Sequence, residues 1–202
     1  MTETDKLATA LRGGVPELSA PELDLEAVTA AGLLDVAYAT FDSPVGRLLV
    51  AASPRGLVRI AYLDTAEDED LALGELAARV SPRVLAAPRR VDGPRRELDE
   101  YFAGRRNRFE TVLDWQLTRG FGRRVLQATA QIPFGSVSSY KEVAARAGTP
   151  RGSRAAGNAL GANPLPIVVP CHRVLHTGGG LGGYTGGVER KRALLTVEGV
   201  LG

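Results

Sequence analysis

Apolar positions along the chain follow two different rhythms. Val36 to Phe41, Arg47 to Ala52 and Leu57 to Leu63 are short stretches rich in β-branched and aliphatic residues. Ser43-Pro44-Val45-Gly46 and Ser53-Pro54-Arg55-Gly56 separate them. In such turns Pro presets one backbone dihedral and Gly accepts a left-handed one, so the pattern predicts an antiparallel meander of three strands. Leu71, Leu73, Leu76, Ala77 and Val80 then recur at roughly helical spacing behind a run of acids, predicting a helix from Asp68 to Val80. Pro94 to Phe102 reads as a second helix that opens on Pro and stops before Gly104. Phe109 to Trp115 reads as a closing strand, which makes residues 35–115 a small α+β domain.

The second half is helical and rich in glycine. Gly122 to Ile132 is amphipathic, with Val125, Leu126, Thr129 and Ile132 on one side. Ser139-Tyr140-Lys141-Glu142 is a capping box that opens a helix to about Ala147, where Gly148 stops it. Thr149-Pro150 supplies an N-cap and a first-turn Pro for another helix, to about Ala162. Two short helices around a Gly-containing turn form a helix-turn-helix pattern. The second of them, from Gly152 to Ala162, is almost devoid of bulk, with Arg154 the only long side chain on its first turns. Such a helix either packs tightly on its own core or lies deep in a groove of DNA. Residues 1–34, broken by Gly13-Gly14, Pro16 and Pro21, read as a flexible extension with a short helix at Leu23 to Leu34.

Charge alters this picture more than composition does. The net charge of +2 hides a split: residues 1–100 carry 11 Lys and Arg against 18 Asp and Glu, and residues 101–202 carry 14 against 5. That asymmetry fits either an uneven solvated surface or a basic half that meets a polyanion. No apolar run approaches the roughly 20 residues a membrane helix needs. The first residues lack the basic and apolar blocks of a secretory signal. A single cysteine, Cys171, excludes an internal disulfide, and with only His172 and His176 beside it no closed zinc site is expected. A reduced, cytoplasmic setting is expected, with no cofactor and no metal.

Ile167-Val168-Val169 leads into Pro170-Cys171-His172-Arg173-Val174. The apolar run predicts a buried strand ending at the only thiol. A thiolate is the reactive form, a free thiol is only a few per cent ionised at neutral pH, and an adjacent imidazole can take its proton. The alternative is a small buried hydrophobe, since neighbours on a strand face opposite ways.

Context decides between them. Pro170-Cys171-His172-Arg173-Val174, Arg154-Ala155-Ala156-Gly157-Asn158-Ala159-Leu160, Asn163-Pro164-Leu165-Pro166, Gly183-Tyr184-Thr185-Gly186-Gly187 and Glu198-Gly199 together closely resemble the O6-alkylguanine-DNA alkyltransferases. The match is continuous over about residues 118–199 and looser over the strand-rich part. The resemblance implies an α+β fold: a small antiparallel-sheet domain with helices, then a winged helix-turn-helix-like alkyltransferase domain over 118–202. It implies a monomer that binds alkylated double-stranded DNA, flips the damaged base and moves its alkyl group irreversibly to Cys171. The donor would be O6-alkylguanine and also O4-alkylthymine.

By the same resemblance, His172 is the base acting through a water, Glu198 orients it, and Asn163 ties the helix-turn-helix to the active-site segment. Tyr140 helps rotate the nucleotide and protonates the leaving guanine, and Arg154 enters the vacated stack. Ala155, Gly157 and Arg173 join Tyr140 and Arg154 against DNA; Leu160, Pro166, Val174, Tyr184 and Thr185 form the alkylguanine pocket. Two departures stand out: no Cys and His set for the N-terminal zinc site of some relatives, and Gly161 where some carry Arg. Relatives that bind lesions without chemistry have Trp at the acceptor position, where this chain has Cys171. A lesion-binding module that recruits other factors is the alternative function; a cysteine hydrolase is a weaker third, because nothing supplies an oxyanion site.

Overall fold

The computed structural model describes residues 32 and 34–201. The expected extension, apart from residues 32 and 34, lies outside the described residues. Strands β1 (Val36–Ser43), β2 (Gly46–Ser53) and β3 (Gly56–Leu63) form the expected antiparallel meander. The turns close through serine: Ser43 Oγ donates to Gly46 O at 2.6 Å, and Ser53 Oγ accepts from Arg55 N at 3.1 Å. Gly46 and Gly56 adopt φ of 101° and 132°, a region closed to most side chains.

A fourth strand, β4 (Val84–Ala86), pairs parallel with β1 and completes the order β3-β2-β1-β4. Three residues between Pro82 and Pro88 are too few to show a period. The expected closing strand does not form. Residues 109–115 make one bridge, Leu57 to Leu113, through Leu57 N to Val112 O and Asp114 N to Leu57 O, both 2.8 Å. Asp114 then ends the pairing, because its carboxylate accepts Gln116 N (3.0 Å) and caps a 3-10 turn at Trp115–Leu117.

Both faces of the sheet are buried, each by a different partner. Helix α1 (Ala66–Arg79), opened by a capping box between Thr65 and Asp68, lays Ala72 and Leu76 on Leu49, Ala51, Val58 and Ala61. The opposite face carries Leu48, Val50, Leu57 and Ile60. It packs on Leu98 and Tyr101 of α2 (Asp92–Phe102) and continues without a break into the C-terminal half.

There α3 (Gly120–Ala130), α4 (Tyr140–Arg146) and α5 (Ser153–Gly161) pack together, with α6 (Val188–Val197) behind. β5 (Ser138–Ser139) and β6 (Val174–Leu175) pair parallel beside them. The capping box forms as expected: Ser139 Oγ accepts Glu142 N at 3.2 Å, and Glu142 Oε2 accepts Ser139 N at 2.8 Å. The start of α5 differs from expectation. Thr149-Pro150 lies in the preceding turn, where Thr149 O accepts Gly152 N (2.8 Å), and the helix begins at Ser153. No helix among the described residues is long and apolar enough to cross a membrane.

Candidate active site

The segment before the thiol is a turn, where the apolar run predicted a strand. Pro164, Pro166 and Pro170 remove three backbone donors, and Ile167, fully buried, sits at φ 73°, a strained region for a β-branched residue. Asn163 staples the turn: Oδ1 accepts Leu165 N at 3.0 Å and Nδ2 donates to Val169 O at 2.9 Å. The same Nδ2 reaches Cys171 Sγ at 3.1 Å. Cys171, His172 and Arg173 follow as one 3-10 turn.

Cys171 is buried, yet it forms part of the wall of a cavity of about 580 Å³. Tyr140 from α4, Arg154, Gly157 and Leu160 from α5, and Tyr184 and Thr185 from the glycine-rich loop share that wall. This is the size range of small-molecule sites. α5 packs one side of its small-residue surface on the core. Ala156 and Leu160 face the core and a Cβ on Gly157 would stand 3.8 Å from the Tyr140 ring, while Arg154 and Ala155 face solvent. The loop closes down over Tyr140: a Cβ on Gly182 would stand 2.9 Å from the Tyr140 hydroxyl. Thr185 Oγ1 pins the loop to the end of α5 through Gly161 O at 2.7 Å.

Behind the thiol is a buried charge cluster. Glu198, 4% exposed, binds His172 Nε2 (2.9 Å), Arg173 Nε (2.8 Å) and Nη2 (2.8 Å), and accepts the Tyr101 hydroxyl (2.7 Å). Burial alone would raise its pKa, but the His172 and Arg173 hydrogen bonds and charges outweigh that and hold the carboxyl near about 2. An ionised Glu198 only accepts, so His172 Nε2 carries the proton. Burial lowers the His172 pKa, helped by Arg173 and Lys191 and opposed by Glu198, so the ring is neutral. Its Nδ1 is therefore a bare lone pair, buried and without a partner among the described residues. Burial pushes the Cys171 thiol up; Asn163, Lys191 and Tyr184 pull it back toward the thiolate.

The structure gathers Tyr140, Arg154, Gly157, Leu160, Cys171, Tyr184 and Thr185 at the cavity, with Asn163, His172 and Glu198 directly behind. Two expectations fail. Arg173 is 6% exposed and spent on Glu198 and Ile132 O, so it is not offered to DNA. Pro166 and Val174 are buried in the core and form no part of the cavity wall. Ala155, expected against DNA, faces solvent beside Arg154 on α5.

Two site residues escaped the sequence reading. His176 lines the cavity with its ring 5.2 Å from that of Tyr140. Lys191 is fully buried, donates to Val174 O (2.6 Å) and Leu181 O, and has its pKa lowered by burial to about 8. Its signal was present: Lys191 holds an apolar position, three and four residues before Leu194 and Leu195.

The surface above is basic. Arg124, Lys141, Arg146 and Arg154 on α3 to α5, and Arg151 in the turn before α5, are all exposed, and Glu142, spent on the cap of α4, is the one acid between Thr118 and Val188. A single buried thiol backed by an imidazole–carboxylate pair, beneath a basic helix-turn-helix, defines a DNA-facing protein with a reactive cysteine.

Comparison with known families gives that class a name. Residues 36–115 match the 6-O-methylguanine DNA methyltransferase, ribonuclease-like domain, and residues 120–200 match the DNA binding domain of the same family. The chain belongs to this family. A methylated-DNA–protein-cysteine methyltransferase of Mycolicibacterium paratuberculosis is 40% identical over 164 residues, 81% of this chain and 92% of the relative. One from Methanosarcina acetivorans is 35% identical, over 80% of this chain and 97% of the relative. The crystal structure of Mycobacterium tuberculosis OGT in complex with DNA superposes with a TM-score of 0.68 at 38% identity, covering 80% of this chain and 92% of that one.

Proposed function

We propose that this protein repairs alkylated DNA by direct reversal, as a methylated-DNA–protein-cysteine S-methyltransferase that uses itself once. The sulfur of Cys171 attacks the alkyl carbon on O6 of guanine, or O4 of thymine. The C–O bond breaks, its electron pair stays on the base, and a thioether remains on the protein. The observation that carries this reading is that the chain's one cysteine lines a cavity beneath the basic helices, with a neutral, one-sided imidazole behind it.

The geometry supports a role for each residue that the resemblance implies. A paired base cannot present O6 to a buried thiol, so it must leave the stack, at a cost of a few kcal/mol that is smaller for a damaged pair. Arg154, exposed at the start of α5, fills the gap, and the small residues of α5 let the helix sit close to the groove floor. His172 Nδ1 takes the thiol proton through a water, with Nε2 held by Glu198. Tyr140, whose pKa is raised by burial and by the neighbouring Cys171, keeps its proton until the leaving base needs it. The arginines around α4 and α5 meet phosphates without reading sequence. The cell compartment is the cytoplasm, residues 35–115 act as scaffold and residues 118–202 as the DNA-binding and acceptor domain.

The test is the intact mass before and after contact with a duplex containing O6-methylguanine. The expected result is a gain of one methyl group, located on the Cys171 peptide. Cys171→Ala should bind the duplex as tightly and gain nothing. Tight binding by the unaltered protein with the lesion left in the DNA would instead favour a recruiting module.

A further inference from the structure

Strand β3 belongs to the scaffold, yet it touches the acceptor site twice. Ile60 N donates to Pro164 O at 2.8 Å, directly beside the Asn163 staple. Two residues on, and so on the same face of the strand, Tyr62 reaches the glycine-rich loop. Its hydroxyl lies 2.8 Å from the Tyr184 hydroxyl, and its ring presses on Gly186, where a Cβ would stand 2.5 Å from Tyr62 Cε2. Arg190 of α6 clamps this arrangement. Its guanidinium sits 4.5 Å above the Tyr62 ring, pairs with Asp64, and donates to Val45 O (2.6 Å) and Gly186 O (3.0 Å).

We propose that Tyr62 is a positioning residue for the alkyl transfer, acting through Tyr184, which shares the cavity wall with the acceptor thiol. The inference rests on the transfer reading above. Tyr184 has one phenolic proton, and its direction matters. If Tyr184 gave that proton to Tyr62, its lone pairs would face a sulfur that is becoming negative. With Tyr62 as donor, the Tyr184 proton is free to meet the sulfur. The Arg190 cation on the Tyr62 ring draws electron density from it and makes Tyr62 the better donor of the two. A chain of two aligned hydroxyls also polarises, so the second is a stronger donor than it would be alone.

Tyr62→Phe separates this role from packing, since the ring keeps its place on Gly186 and under Arg190. The groups that face Cys171 and stay unchanged are Asn163, Tyr184, Lys191, Tyr140 and His172. The measurement is the single-turnover rate of methyl transfer from O6-methylguanine duplex, from about pH 6 to about pH 10.5, a range that extends well above the ordinary thiol pKa. The variant should be about fivefold slower at neutral pH, the worth of one hydrogen bond. Its profile should move to higher pH and rejoin the unaltered protein in the alkaline plateau, with DNA affinity and melting temperature unchanged. A profile that superposes on the unaltered protein's overturns the proposal. So does a loss that is equal at every pH and accompanied by a lower melting temperature, which would make Tyr62 a packing residue only. An unaltered protein that transfers nothing would sink the transfer reading itself.

Discussion

Glu198 is the residue on which chemistry and stability meet. It is one carboxylate with partners from the turn (His172, Arg173) and from α2 (Tyr101). Removing one member of a buried charge network leaves the others unpaired, at a typical cost of about 3–5 kcal/mol. Glu198→Gln should therefore lower the unfolding free energy by about 3 kcal/mol, read by denaturant titration, because Arg173 would stay buried without a counter-charge. The pH dependence has a defined sign. The folded-state pKa is depressed to about 2 from the ordinary glutamate value of 4.5, so this contribution is full above about pH 4.5 and is lost as pH falls toward 2. Acid titration of the unaltered protein should show that loss, and the Gln variant should not. At this scale the motif residues Cys171, His172, Asn163, Glu198 and Tyr140 were legible because they stand in short, specific sequence blocks. Tyr62 was not, since it lies 122 residues from Tyr184 and only the docking of β3 brings them together.

Elements were legible where their signals are local. The meander came from its Pro-Gly turns, and α4 from its capping box. Ser139→Ala should cost about 1 kcal/mol of stability, since it leaves Glu142 N uncapped, and thermal melting measures it. The strand expected before Cys171 failed because hydrophobicity says only that Ile167 and Val169 are buried. The flanking prolines and the Asn163 staple decide the backbone, and the staple is a tertiary fact visible only in the folded turn. The glycine-rich loop makes a sharper case. Gly182 has φ 68° and no room for a Cβ beside the Tyr140 hydroxyl and the His176 ring. Gly182→Ala should lift the loop and slow transfer while sparing duplex binding, which the exposed arginines of α3 to α5 provide.

For the whole molecule, charge and core each have a consequence. Five exposed cations on α3 to α5 and the turn before α5 predict binding that falls with salt; if about three contact phosphate, the log–log slope is about −3. The proposed function reads the uneven charge of the sequence as a DNA face, although 6 of the 18 acids in its first hundred residues fall in positions 1–34. The main apolar core passes from Leu48, Val50 and Ile60 into Val125, Leu126, Val143 and Val174 without a gap. Calorimetry should accordingly record one cooperative unfolding transition, and two resolved peaks would contradict a shared core.

The hydrogen bond from Ile60 N to Pro164 O gives that continuity a meaning for a reagent spent in one reaction. The ribosome delivers the sheet first, so it is waiting when the acceptor turn emerges. Only then does the turn receive its last tie, and only then is the thiol set beside its neutral imidazole. Assembly thus joins the acceptor turn to a scaffold that has already been made.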